Sequence, residues 1–290
     1  MIKSKFTIVT FYQFKKIDDI LKIKNELVHF CKFNKIKGTI ILAGEGINGT
    51  TAGVYESIIK FESHLLSLGF ADHNPKYSHS KFMPFFRLKV RDKKEIVTLR
   101  SKHVDPENIT GKKIKPKYWN NLISDKKTIL IDLRNNFEVE MGTFKNSLNP
   151  NTKSFTDFKS YVKNNLKKAK DKKIAMFCTG GIRCEKMSSY MIKKGFKDVN
   201  QLDGGILNYL EKTSQDNSLW NGECFVFDNR VSVKNELKDG TYDLCHACGY
   251  PVSQDMLKSK KYQKGISCCL LYTSDAADEG LGVDLGGRRI

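Results

Sequence analysis

At 290 residues with a 40% apolar fraction, the chain is long enough for two domains and a smaller appendage. Its 50 basic and 32 acidic residues leave a formal charge of +18, which fits either a solvated lysine-rich surface or one built for nucleic acid. No apolar run approaches membrane-spanning length and Met1–Lys5 lacks a signal-peptide core, so a cytoplasmic protein without a membrane partner is expected. Eight cysteines in that setting point to catalysis or metal rather than to a disulfide framework.

The first hundred residues alternate strand and helix signals. Phe6–Phe11 reads as a strand, and Ile17–Phe33 as a helix with apolar residues at Ile17, Ile20, Leu21, Ile23, Leu27 and Phe30. Gly38–Leu42 and Gly46–Ala52 read as strands about a Gly44-Glu45-Gly46 turn, Tyr55–Leu68 as a helix, and Phe85–Val90 as the closing strand. The order β-α-β-β-α-β predicts a ferredoxin-like α+β domain over residues 1–100. Gly44, Gly46 and Gly49 are read mainly as turn geometry, and no Walker Lys-Ser/Thr follows them. Phe85 and Phe86 with Arg87, Lys89 and Arg91 are candidate RNA contacts, although strand alternation would bury about half of them.

Residues 101–217 are read as an α/β domain that starts with a polar connector over His103–Lys117. Strands at Thr128–Leu133, Ile174–Phe177 and Val199–Leu202 alternate with helices at Phe155–Leu166, Glu185–Lys194 and from Gly204. Strands separated by helices imply a parallel sheet with ligands at its carboxyl edge. Cys178 lies at such an edge, in Cys178-Thr179-Gly180-Gly181-Ile182-Arg183-Cys184. A glycine-bearing turn opening into a helix directs backbone N–H groups and the positive helix end at the sulfur, and Arg183 adds a fixed cation, so thiolate is favoured. Arg183 follows at a spacing one residue shorter than the Cys-x5-Arg loop of cysteine phosphatases, which argues against phosphate as the natural guest. Cys184 is either a resolving thiol or packing at the helix start. Asp132 and Arg134 end the preceding strand, where they are expected to brace the loop.

Residues 218–269 form a cysteine-containing region with Cys245-x2-Cys248 and then Cys268-Cys269. The first pair is half a zinc knuckle. Cys268 supplies a third thiol, but position 271 is Leu, so the site is incomplete unless Cys269 or His246 serves as fourth ligand. From Leu270 lysine disappears and glycine and aspartate take over, so residues 270–290 are expected to be a non-native read-through tail.

Ile131-Asp-Leu-Arg134, Glu138-Val-Glu-Met-Gly142, Asn149-Pro150, the Cys178 loop and Leu202-Asp-Gly-Gly-Ile206 resemble a rhodanese domain. With Gly44-Glu-Gly-Ile-Asn-Gly-Thr50 upstream, Phe177–Lys186 in the middle and Cys245-His-Ala-Cys248-Gly249 downstream, the chain is similar to the rhodanese-like tRNA uridine hydroxylases. The resemblance implies conversion of a tRNA wobble uridine to 5-hydroxyuridine. Molecular oxygen would be the co-substrate and Cys178 a persulfide-capable cysteine. The alternatives are a persulfide-forming sulfurtransferase and an RNA-binding module on a degenerate rhodanese domain. The residues contain no flavin or nucleotide motif and no iron-binding facial triad, so they do not account for oxygen activation.

Overall fold

The computed structural model describes residues 5–101 and 104–272; most of the proposed read-through tail, residues 273–290, lies outside the described residues. The first unit runs β1 (Phe6–Phe14), α1 (Ile20–Phe33), β2 (Lys37–Ala43), β3 (Gly46–Gly53), α2 (Tyr55–Ser67), β4 (Lys76–Ser80) and β5 (Leu88–Asp92). Its sheet has the order β4-β1-β3-β2-β5. The first four strands are mutually antiparallel, and β5 adds parallel to β2. This is a ferredoxin-like sheet with one extra edge strand. The closing strand is therefore β4, not Phe85–Val90. Its Lys-Tyr-Ser-His-Ser text lacks apolar alternation: Lys76 and Ser80 are its buried residues, His79 is exposed, and Tyr77 alone packs on the apolar core.

Two faces of β1 carry different duties. Val9 and Phe11 join Leu27, Phe61 and Leu65 under the helices, while Thr10 and Tyr12 turn toward the next domain. Alternation along a strand makes this division possible.

The second unit continues with β6 (Lys112–Ile114), α3 (Pro116–Ser124), β7 (Thr128–Asp132), α4 (Asn136–Met141), β8 (Gly142–Phe144), α5 (Phe158–Asn165), β9 (Lys173–Phe177), α6 (Ile182–Lys193), β10 (Asp198–Leu202) and α7 (Gly205–Lys212). Its sheet, β6-β10-β9-β7, is wholly parallel. The lysine-rich connector thus contains an edge strand, whose solvated lysines mask the pattern, and Pro116 then opens α3 at a position where no N–H is needed. The sheet is covered on both faces, so β9 reads as a continuous apolar run: Ala175 and Phe177 face Trp119, Tyr209 and Trp220, while Ile174 and Met176 face Phe158 and Met187. Edge-to-face contacts of Phe144 with Phe177, Tyr209 and Trp220 fix the strand immediately before Cys178.

The remaining segment contributes β11 (Trp220–Gly222), β12 (Cys224–Phe225), β13 (Ser232–Val233), β14 (Asp243–Leu244), β15 (Pro251–Val252) and two short helices, α8 (Gln254–Lys258) and α9 (Cys269–Tyr272). It is tied to both domains. Trp220 in β11 pairs with Phe144 in β8, and Arg230 donates to Ser78 Oγ of β4 at 2.9 Å. Among the described residues no helix is long and apolar enough to cross a membrane.

Candidate active site

Cys178 is fully buried where β9 ends. Helix α6 begins at Ile182, three residues earlier than the sequence signal, so Ile182, Arg183 and Cys184 form its first turn. Gly181 caps that helix at φ 104°, and its N–H donates to Cys178 Sγ at 3.2 Å. A side chain at Gly181 would be strained there and would meet the Tyr12 hydroxyl at 2.8 Å. From the other side, α7 is pinned to the loop by Ile206 N–H to Cys178 O and Leu207 N–H to Thr179 O. Gly205, at φ 68°, permits this approach: a Cβ would lie 2.5 Å from the Cys178 carbonyl oxygen. Gly180 has only the Thr10 methyl nearby, from β1.

Burial pushes the Cys178 thiol up, but the Cys184 thiol, the Arg183 cation and the amides of Cys184 and Gly181 outweigh it and bring the pKa from 9.0 down to about 6. Near neutral pH the sulfur is a thiolate. Cys184 is pushed the other way, well above 9.0, by burial and by its hydrogen bond to Cys178. It is the protonated partner that donates to the nucleophile. Thr179 lies beside the arginine, with Oγ1 3.4 Å from Arg183 Nη2.

Arg183 does not reach into open space. Both its terminal nitrogens are held by Glu138, at 2.7 and 2.8 Å, in a bidentate pair that excludes water. Burial opposes ionisation of Glu138, and the Arg183 and Arg134 charges restore it, holding the carboxyl below its usual range. Glu138 opens one of the motifs quoted from the sequence but was given no role there. It stands at the third position of α4, where it also accepts from the Asn135 N–H at 3.0 Å. The Asn135-x-x-Glu138 spacing of a helix start was the available signal. Asp132 and Arg134 form a buried bidentate pair at 2.9 and 2.6 Å, and Arg134 also donates to the carbonyls of Glu138 and Gly142. The arginine plane lies over Trp220, 5.0 Å from the ring centroid. The chain of contacts is thus Asp132–Arg134–Glu138–Arg183–loop.

The residues just after the loop join the two domains. Glu185 accepts from Tyr12 at 3.1 Å and from Thr110 at 2.8 Å, and pairs with Lys113 at 2.7 Å. Lys186 is buried and bound by Glu45 and by Glu95, at 2.7 and 2.6 Å. The Gly44–Gly46 turn therefore presents a carboxylate to the catalytic helix, a duty its glycines alone did not reveal. The seam carries a polar mouth of about 320 Å³, lined from both domains by Asn74, Lys76, Asp203 and Asn208 among others; the Cys178 loop is not part of its lining.

The other candidates lie elsewhere. Lys89 and Arg91 share the face of β5 opposite Leu88 and Val90, which pack under the helices. On the neighbouring strand β1 Thr10 and Tyr12 meet the Cys178 loop, and Ile8 packs with Phe85, so that face is not open throughout. Arg87 and Lys89 instead line a cavity of about 360 Å³ with Phe85, Phe86, Phe225 and Phe227. Phe85 is buried and Phe86 is 86% exposed. In the third region the sulfurs of Cys245, Cys248 and Cys268 all lie within 4.8 Å of one another, with Cys248 and Cys268 at 3.6 Å. Ligands at Zn–S distances stand roughly 3.8 Å apart, so the three thiols can supply three of the four positions of a structural zinc. His246 and Cys269 are not in that group among the described residues.

Comparison with known proteins agrees with this division. Residues 6–96 match the UPF0176 acylphosphatase like domain, and residues 115–212 match the rhodanese-like domain. The chain is also similar to three solved structures. A rhodanese-related protein from Thermoplasma volcanium is 25% identical over 35% of this chain and 92% of that one, with a TM-score of 0.28. The Alr3790 protein from Anabaena sp. is 14% identical over 38% and 91%, with a TM-score of 0.32. An acylphosphatase from Coxiella burnetii is 13% identical over 31% and 100%, with a TM-score of 0.23. The chain thus combines an acylphosphatase-like domain of the UPF0176 type with a rhodanese-like domain, whose buried thiolate supports cysteine-based chemistry.

Proposed function

We propose that the protein is a tRNA-modifying enzyme that hydroxylates the wobble uridine to 5-hydroxyuridine, with dioxygen as co-substrate and Cys178 as nucleophile. The observation that carries this reading is the roof over Cys178. Strand β1 of the N-terminal domain closes over the loop through Thr10 and Tyr12, and Glu185 and Lys186 bind that domain directly. Sulfur transfer to a small acceptor has no need of a second domain over the loop, whereas selection of one base in a large polyanion does. The +18 charge supplies the matching long-range attraction. A base unstacked from the anticodon loop is of a size to enter the mouth beside Lys76 and Asp203. Addition of the Cys178 thiolate to uridine C6 would make C5 nucleophilic toward oxygen. One oxygen atom would stay on C5, and the other would leave as water with two electrons from an external reductant. Loss of the C5 proton would expel the thiolate from C6.

A second reading, persulfide-forming sulfur transfer, draws on the loop itself. The amide of Gly181 and the first turn of α6 surround Cys178 Sγ as they would a persulfide. Nucleoside mass spectrometry separates the two: loss of 5-hydroxyuridine on deletion supports hydroxylation, and its persistence in a strain with no redundant route removes it. In the third region, Cys245, Cys248 and Cys268 would hold zinc, which would supply folding stability rather than catalysis.

A further inference from the structure

Two lysines are buried among the described residues, and their surroundings differ. Lys186 has Glu45 and Glu95. Lys76 has no carboxylate within salt-bridge distance among the described residues. Its Nζ donates to the Asn74 carbonyl at 2.7 Å and lies 4.8 Å from the Tyr12 ring centroid. A desolvated ammonium without a counter-ion is costly, and such groups concentrate at functional sites. The structure places this one on β4, at the seam between the domains, beside the Tyr12 ring, whose hydroxyl closes on Gly181, the residue that donates to Cys178 Sγ; the same lysine lines the polar mouth. Burial pulls it from 10.5 down to about 7, against the fields of Asp203, Cys178 and Glu185, while Lys113 acts in the same direction as burial. The titratable groups around it are therefore Tyr12 on β1, Lys113 on β6, Glu185 on α6, Asp203 after β10, and Cys178 itself. Arg183, the cation the sequence pointed to, also acts on Cys178, but both its terminal nitrogens are committed to Glu138.

We infer that Lys76 is the working cation of the Cys178 site, contributed by the N-terminal domain to hold the negative charge that sulfur chemistry generates there. That charge rests on the thiolate, on an anionic group brought through the mouth, and on a persulfide once formed. The inference relies on Cys178 being the nucleophile. With thiosulfate as probe, the thiolate attacks the outer sulfur. The new sulfur–sulfur bond forms as the bond to the sulfonate sulfur breaks, its electron pair leaves with sulfite, and total charge is conserved without any oxidant.

The test uses the full chain with Lys76→Met, Lys76→Arg and Cys178→Ser. The Cys178 titration is read as the ultraviolet thiolate difference between each protein and its Cys178→Ser counterpart, and sulfite release from thiosulfate is measured across pH. In Lys76→Met the Cys178 titration should move up by about one pH unit. Its kcat/KM should fall about a hundredfold. Lys76→Arg should recover kcat/KM to within about tenfold of wild type, because charge and not shape is what matters. A Lys76→Met protein with an unmoved Cys178 titration, whether or not sulfite release survives, would overturn the inference and leave Lys76 a packing role. A wild-type protein that releases no sulfite, but whose Cys178 titration still shifts in Lys76→Met, supports the role of Lys76 and removes thiosulfate-like donors from the functional reading.

Discussion

Replacing Glu138 by glutamine would leave the Arg183 guanidinium buried beside a neutral amide, with its bidentate carboxylate lost. Stranding a buried charge costs about 3 kcal/mol, so Glu138→Gln should lower the denaturant midpoint by a corresponding amount. An unchanged midpoint would show that Arg183 finds another partner. Lys76 should behave in the opposite sense. Its folded-state pKa of about 7 lies below 10.5, so its burial opposes folding in full below pH 7, and the penalty fades as pH rises toward 10.5. Lys76→Met should therefore melt at a higher temperature than wild type at pH 6, with the gain shrinking by pH 10. Such a variant, more stable and less active, is the expected signature of a functional group held at a cost. Cys178 titrates about 6, so its alkylation rate should rise through pH 6 rather than through pH 9. A midpoint near 9 would mean that the loop amides and Arg183 do not outweigh burial.

At the scale of elements, the strands and helices with plain periodicity were legible: β1, β2, β3, β7, β9 and β10 lie where apolar patterning predicts them. The misses share one physical cause. Strands β4 and β6 are built largely from polar residues, Lys76, His79, Lys112 and Lys113 among them, and Lys113 meets its partner Glu185 only in the folded chain, so local apolar pattern is silent about them. Helix α4 is short, and its Glu138 is explained by Arg183, 45 residues further on. The Gly44–Gly46 turn is similar, since Glu45 gains its meaning only when Lys186 arrives. Lys186→Met would leave Glu45 and Glu95 without their shared cation and loosen the seam. Faster alkylation of Cys178, by about tenfold, should follow from easier local opening. No acceleration would mean that the Tyr12–Glu185 contact suffices to keep the roof closed. In the third region the three thiols were expected to form one metal group, and their sulfurs lie within 4.8 Å of one another. One zinc per chain should be found in protein purified under reducing conditions, and Cys268→Ser should lose it together with thermal stability. Full stability without bound metal would assign the cluster to packing.

Taken as a whole, the molecule places a low-pKa cysteine at the floor of a seam between two domains, with the third region tying both together through Arg230 and Trp220. The sequence placed the nucleophile and its loop because that chemistry is local, confined to a strand end and the first turn of a helix. It could not place the roof, which depends on Thr10 and Tyr12 of β1 arriving from more than a hundred residues away. Domain order alone fits several cysteine enzymes, and the roofed seam is what favours a large anionic substrate over a small one. Nucleoside mass spectrometry of tRNA from a deletion strain, complemented with wild type or with Cys178→Ser, tests this most directly. Wild type should restore 5-hydroxyuridine and Cys178→Ser should leave it absent; full restoration by Cys178→Ser would contradict a Cys178-dependent hydroxylation.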